Sequence, residues 1–290
     1  MLYRLALATV CLLSLGAAPV RADGFINPDP GPVTGCFNTD ARRASQFDKG
    51  HSPSARSLTR ADAKLTALAQ GAGLVETCLT TPNGQQTYIA YGDILYRYEH
   101  LQQSHCMALR LRDNKMLAVG TCFPDRVMRD AGIRTGHMRV HLGPAASQQT
   151  FEVVPVAAAL LPTGPAAVLQ VVGGDRKVPT APILKHATAD PMPGQRAILV
   201  FHTSDGVLSI IDTECQVAAP TPRSNLSPGS FLNTCRGSVP TGGGLLLDAE
   251  TYELLGIQTG WRGDGLMKAT RPTALLDALG IGDDALLSKD

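Results

Sequence analysis

The chain has 290 residues, 44% of them hydrophobic and 18% charged, a balance that excludes intrinsic disorder and a fibrous repeat and leaves room for one large domain or two small ones. Lys and Arg number 26 against 25 Asp and Glu, so there is no basic footprint for nucleic acid and no polybasic tract for a membrane surface. Aromatics are only 5%, while Gly 29 and Pro 20 favour many turns and short elements over a helix bundle.

Arg4 precedes an apolar run from Leu5 to Leu15, and Val20-Arg21-Ala22 puts small side chains at the two positions a signal peptidase reads. This predicts a secretory signal peptide over residues 1–22, cut after Ala22, and a secreted or periplasmic location. The run is too short to span a bilayer, and no later segment is long and apolar enough to act as a membrane anchor. Of the seven cysteines, Cys36, Cys78, Cys106, Cys122, Cys215 and Cys235 follow the cut. An even number in an exported chain predicts three disulfides and leaves their connectivity open. No pair has C-x-x-C spacing, which removes zinc-ribbon and thioredoxin-like readings.

Residues 23–56 are rich in Pro, Gly, Ser and Asp and predict an irregular arm. From Leu58 to Leu74, the apolar residues Leu58, Ala61, Leu65, Leu68, Ala69 and Ala72 recur by threes and fours, which predicts a helix with Ser57 or Thr59 as its cap. From Thr87 onward the texture is β-rich. Short runs at Ile94–Tyr98, Met107–Leu111, Met138–Leu142, Phe151–Val156, Ala167–Val172, Ala197–His202, Gly206–Ile211, Gly244–Asp248 and Leu254–Thr259 are separated by turn residues. This pattern predicts an all-β barrel or sandwich. Ala274, Leu275, Leu276 and Leu279, with Pro272 in the first turn and Gly280 just past the end, predict a short C-terminal helix.

Three stretches, in order, resemble the chymotrypsin/trypsin-like serine proteases, most closely their bacterial secreted branch. Cys106–Phe123 (CMALRLRDNKMLAVGTCF) is similar to the family segment in which a cysteine opens a strand, a hairpin follows, and the catalytic histidine stands just before a second cysteine. Pro162–Val171 resembles the strand that carries the orienting aspartate. Phe231–Gly260 resembles the nucleophile loop with its following hairpin, and Arg139–Gly143 (RVHLG) resembles a strand found after the histidine. The resemblance covers roughly residues 90–280. It implies an all-β fold of two antiparallel β-barrels of the chymotrypsin type, with a short C-terminal helix and an N-terminal extension containing one helix. The organisation expected is a signal peptide over 1–22, the extension over 23–85 and the double barrel over 86–290. It also implies Cys106–Cys122 and Cys215–Cys235 as disulfides, leaving Cys36–Cys78 to tie the arm down, and it implies no cofactor.

The family's chemistry needs a serine, a histidine base, an aspartate that fixes the base's tautomer, and two backbone N–H donors facing the oxyanion. Each position holds something else here. The histidine position falls on Thr121, whose hydroxyl has no basicity near neutral pH. The aspartate position falls on Pro165, and residues 153–174 contain no acid that a shifted register could supply. The serine position falls on Gly242, with Thr241 one step away and Ser238 further off. The oxyanion-donor position is Pro240, which has no N–H. His100 and His105 precede Cys106, on the wrong strand to serve as base, and have the character of surface or strand-edge histidines. The base of the specificity pocket falls near Arg236, which would favour an anionic group if it pointed inward and is otherwise a solvated loop residue.

His137 and His141 are four apart, a metal pair on a helix but about 13 Å apart on the strand that the RVHLG match predicts. GGDRK at 173–177 and TGGGLLLD at 241–248 lack the Lys and the helix of a phosphate-cradling loop. The expectation is therefore a secreted trypsin-like homologue without a working triad, a pseudoenzyme that binds a protein or peptide. The alternative is an active serine endopeptidase whose catalytic residues lie elsewhere than at these positions. A third reading is a structural envelope or surface component.

Overall fold

The four residues Arg112–Lys115 join two strands through a tight turn. Asp113 and Asn114 both have positive φ, 55° and 56°, the left-handed pair that a two-residue hairpin needs and that Asp and Asn tolerate. In the computed structural model this hairpin is one of a series. The structure describes Phe37 and residues 55–57, 63–91, 94–98, 101–120, 122–143, 148–173, 177–180, 183–202, 209–222, 224–235, 243–261 and 265–286.

The described elements are β1 (Ala55–Ser57), α1 (Ala63–Ala69), β2 (Ala72–Thr80), β3 (Thr87–Tyr91), β4 (Ile94–Tyr98), β5 (Leu101–Arg110), β6 (Lys115–Val119), α2 (Arg126–Asp130), β7 (Arg134–Leu142), β8 (Gln149–Leu161), β9 (Gly164–Val172), β10 (Arg196–His202), β11 (Ser209–Ala218), β12 (Ser230–Asn233), β13 (Leu245–Asp248), β14 (Leu254–Trp261), β15 (Met267–Thr270) and α3 (Pro272–Ala278). Six strands close the first antiparallel barrel in the order β2-β5-β6-β9-β8-β7. The second runs β11-β10-β13-β14-β15-β12 and closes through the β11–β12 pairing, with β1 added outside on β11. The expected double barrel is present, with α3 at its C-terminal end.

Period-2 alternation decides what each strand of the first barrel faces. Cys106, Ala108, Met116, Ala118, Ala167, Leu169 and Val171 point into that barrel. Their neighbours Met107, Leu109, Leu117, Val119, Ala166 and Val168 belong to the core that also holds Leu199, Phe201, Leu245 and Ile257 of the second barrel. These strands are thus buried on both faces and show as near-continuous apolar runs, as strands covered on both sides do.

The predicted helix over 58–74 is corrected by the structure. Only Ala63–Ala69 is helical, and residues 58–62 lie outside the described residues. Ala72 and Leu74 open β2 instead, paired with Leu109 and Met107. Eight consecutive buried residues in β2 erase the alternation that would mark a strand. The barrel also needs Gly73 there, because a Cβ would come 2.8 Å from Leu142 Cδ2 and Val140 Cγ2. The first barrel therefore begins at Ala72, upstream of the expected boundary at 86. The strands β12 and β15, four residues each, are too short to give a periodic signal. The C-terminal helix is as expected: Pro272, Leu275 and Leu276 are buried, and Gly280 has φ 69° just past its end.

Two disulfides join elements of the fold. Cys106–Cys122 has a Cα separation of 5.2 Å and Cys215–Cys235 one of 4.7 Å, both within bonding range. Cys78 is also disulfide-bonded; Cys36, its expected partner, lies outside the described residues, as does the predicted signal peptide. Replacing Cys106 and Cys122 together by Ala is expected to cost roughly 3 kcal/mol through lost loop closure. The check is a fall in the urea midpoint against the parent protein.

Candidate functional site

Pro165 and the described neighbours of two other expected site positions, Gly120, Cys122 and Gly243, lie at the seam between the barrels. β6 runs through Val119 to Gly120, whose φ of 84° turns the chain. The Gly120 N–H donates to the Pro165 carbonyl at 2.9 Å, and the Phe123 N–H closes the turn onto the Gly120 carbonyl at 3.0 Å. Thr77 Oγ1 donates to the Cys122 carbonyl at 2.6 Å. Thr121 itself lies outside the described residues, but the chain on both sides of it is fixed. Pro165 is buried at the start of β9 and bonded to the residue just before Thr121.

The other side of the seam comes from the second barrel. The Gly243 N–H donates to the Gln258 carbonyl at 3.0 Å, and the Gln258 N–H to the Gly244 carbonyl at 2.8 Å. Gly243 has φ 94°, and a Cβ on it would lie 2.2 Å from the Met107 carbonyl oxygen. Met107 follows Cys106, which is bonded to Cys122. The flanks of 121, Pro165 itself and the residue after Gly242 therefore meet along one seam. Gly164 stands beside β14 there: a Cβ on it would be 3.9 Å from the Thr259 carbonyl oxygen. Gly242, Thr241, Pro240, Ser238 and Arg236 lie outside the described residues.

The approach to the 236–242 segment is held by a buried amide network. The Cys235 N–H donates to Asn233 Oδ1 at 3.0 Å, Gln258 Nε2 donates to the Cys235 carbonyl at 3.0 Å, and Asn233 Nδ2 donates to the Met267 carbonyl at 3.3 Å. On its far side, Asp248 accepts from the Glu250 and Thr251 N–H groups and from Gln195 Nε2. Burial works to raise the Asp248 carboxyl, but these bonds outweigh it and hold it below its usual range.

The histidines are placed elsewhere. His100 lies outside the described residues. His137 and His141 are on β7, the strand that the RVHLG match predicts. His105 is on β5, paired across the strands with Glu76 of β2. Sequence reasoning missed the cluster that this pairing begins. Glu76 is flanked by His105 at 3.2 Å on Oε1 and by Arg139 Nε, which donates to Oε2. His141 Nε2 lies 2.8 Å from Oε2. The other ring nitrogen of His141 meets Thr150 Oγ1 at 2.9 Å. Burial would raise the Glu76 carboxyl. The contacts with His105, His141 and Arg139 overcome it and hold the group far below the ordinary carboxylate range. The available signal was a lone Glu in the apolar run of β2, hidden by the helix reading of its N-terminal half. Among the described residues, no group of three or more His, Cys, Asp or Glu is placed to hold a metal ion.

Solved structures with similar folds share this architecture. The structure of GrC matches with a TM-score of 0.51 and 13% identity over 78% of this chain and 96% of that one. The active form of the Rv3671c protease from M. tuberculosis matches with a TM-score of 0.49 and 13% identity over 81% and 96%. Deg5 matches with a TM-score of 0.47 and 13% identity over 76% and 94%. The structural neighbours are chymotrypsin/trypsin-like serine proteases, and the fold of this chain is the chymotrypsin-type double barrel. No family model and no curated protein matches the chain in sequence.

Two outcomes are expected. Gly243→Ala forces a left-handed backbone and a clash with the Met107 carbonyl at once, and is expected to cost at least about 2 kcal/mol of stability, read by urea unfolding. Glu76→Gln is expected to cost on the order of 3 kcal/mol near pH 7, since it leaves Arg139 without its charge partner. The folded carboxyl titrates below the ordinary value of 4.5. Its contribution is therefore complete above that pH and is lost as pH falls through the lowered value. The gap between wild type and Glu76→Gln should narrow as pH drops below 4.5; a gap that stays constant with pH would contradict the assignment.

Proposed function

We propose that this protein is a secreted, catalytically inactive homologue of the bacterial trypsin-like serine proteases that binds a protein or peptide ligand in extended form. The observation that carries the reading is Pro165. It occupies the start of β9, bonded to Gly120 beside Thr121, where the orienting acid would have to stand, and residues 153–174 contain no Asp or Glu. A proline can neither hold an imidazole tautomer nor stabilise an imidazolium. Thr121 for the base, Gly242 for the nucleophile and Pro240 for an oxyanion donor add three independent chemical losses. Removing triad members costs on the order of a millionfold in turnover, and a missing oxyanion donor about a further 100-fold.

Among the described residues, an open strand edge supports the ligand-binding half of the reading. β14 pairs with β15 as far as Trp261, whereas the named pairs with β13 end at Ile257 and the bonds on that side stop at Gln258. Among the described residues, nothing lies within 4 Å of where a Cβ on Gly260 would stand. An extended peptide could add to Thr259–Trp261 through main-chain hydrogen bonds, the mode by which strands are recruited to a free edge. The disulfides fit an oxidising compartment outside the cytoplasm, and among the described residues no helix is long and apolar enough to cross a membrane. With the predicted signal peptide, these support export to the periplasm or beyond.

The purified protein is expected not to label with an active-site-directed fluorophosphonate and not to cleave a broad peptide library. Stoichiometric labelling of Ser238 or of any other serine would instead establish the competing reading, a working endopeptidase. Combining Thr121→His, Pro165→Asp and Gly242→Ser should restore little activity while Pro240 remains, because the oxyanion would still lack one of its two hydrogen bonds.

A further inference from the structure

The chain has seven methionines. Met1 lies outside the described residues. Five of the other six are interior: Met107 and Met116 are 0% exposed, Met138 4%, and Met128 and Met267 8% each. Met107 belongs to the core shared by the two barrels, and Met116 to the inside of the first. Met192 is 69% exposed, the most exposed large hydrophobic side chain among the described residues.

A well-bonded turn presents this side chain. The Gln195 N–H donates to the Met192 carbonyl at 3.0 Å. Pro193 and Gly194, the latter with φ 85°, hold the two central positions, the pair that suits a type II turn. The Met192 N–H donates to Gln195 Oε1 at 3.0 Å, and Gln195 Nε2 donates to Asp248 Oδ2 at 2.7 Å. The Gly194 N–H donates to the Val217 carbonyl and the Val217 N–H to the Gln195 carbonyl, both at 2.9 Å. The turn is thus tied to β11 and to the end of β13. Before it, Arg271 bonds Asp190 and the carbonyls of Ala187 and Thr188. Backbone bonded in this way holds the Met192 thioether out in solvent.

We propose that Met192 is an oxidation site of the folded protein, converted by peroxide-class oxidants to methionine sulfoxide without loss of the fold. The sulfur lone pair attacks one peroxide oxygen. The O–O bond breaks as the S–O bond forms, and the other oxygen takes up the proton of the first and leaves as water. Sulfur loses the electron pair that the peroxide gains. The product side chain is polar. At Met192 the new oxygen is hydrated, because the side chain already faces solvent. At Met107 or Met116 it would be a polar group in an apolar core, at a cost that opposes folding. Oxidant therefore divides the described methionines into one that is modified in place and five that react only when the chain opens. Reversal needs a thiol-dependent sulfoxide reductase, whose dithiol removes the oxygen as water and becomes a disulfide. This chemistry is independent of whether the inter-barrel cleft is catalytic.

The test treats the full chain with graded hydrogen peroxide, either folded or in concentrated guanidinium, quenches with catalase, and reads each methionine by peptide mass spectrometry. In the folded chain Met192 is expected to gain one oxygen at least about tenfold faster than any of the five buried methionines, and within about threefold of its own rate in guanidinium. The protein oxidised at Met192 should keep the urea midpoint of the parent. The two methionine sulfoxide reductases that act on opposite sulfoxide epimers, supplied with dithiothreitol, should return it to the parent mass. Met192→Leu places a similar apolar side chain at an exposed position and leaves the fold intact; at the same peroxide dose its five buried methionines should stay unmodified. Comparable rates for Met192 and Met107 in the folded chain would overturn the proposal, as would a urea midpoint that falls on oxidation of Met192 alone.

Discussion

The close approach of Gly243 to the Met107 carbonyl sets the geometry on which the rest of the molecule depends. A bare α-carbon with positive φ lets the second barrel settle against the backbone of β5 at a distance no side chain would allow. That contact sits one residue from the Cys106–Cys122 disulfide. The disulfide in turn fixes the turn at 120–123, whose first residue bonds Pro165. Backbone proximity, a covalent bond and a hydrogen bond thus run in series across the seam. Strands that face both the barrel interior and the neighbouring barrel follow from the same contact, because bringing the barrels this close covers the outer faces of β5, β6 and β9.

The seam has the architecture of the chymotrypsin-type double barrel, and the proposed reading places different chemistry on it. Gly120, Pro165 and Gly243 are backbone-bonded parts that the double barrel needs whatever the side chains do. The proposed loss of function lies in side chains, which the fold does not require. The proposed reading relies on this separation of scaffold from site, in which the turn, the disulfide and the glycine are kept by the fold and the side chains beside them are free to differ.

Polar groups of the first barrel are concentrated on the opposite kind of surface. Glu76 sits between His105, Arg139 and His141 on the outer face of β2, β5 and β7, largely covered and strongly held in its ionised form. A buried carboxylate contributes little net stability unless its partners are placed by the fold. Here the register of three strands places them: Glu76 is opposite His105 on one side and Arg139 on the other. The Arg139 guanidinium carbon also lies 4.2 Å from the centroid of the Phe37 ring.

The sequence by itself determined the β-rich class and the C-terminal helix, and its resemblance to the trypsin-like proteases implied two disulfide pairs and the order of the seam residues. Those features are written locally, in alternation, in Pro272 and Gly280, and in fixed spacings around Cys106, Cys122, Pro165 and Cys235. It did not determine β2, because a strand buried on both faces loses its period and Leu58–Leu74 imitates a helical stripe. Nor could it show the Glu76 cluster, whose members stand 29, 63 and 65 positions apart in the chain and become neighbours only through strand register. Placing Met107 against Gly243 likewise needed the tertiary structure, since only the packing of one closed barrel on another shows why that glycine admits no side chain.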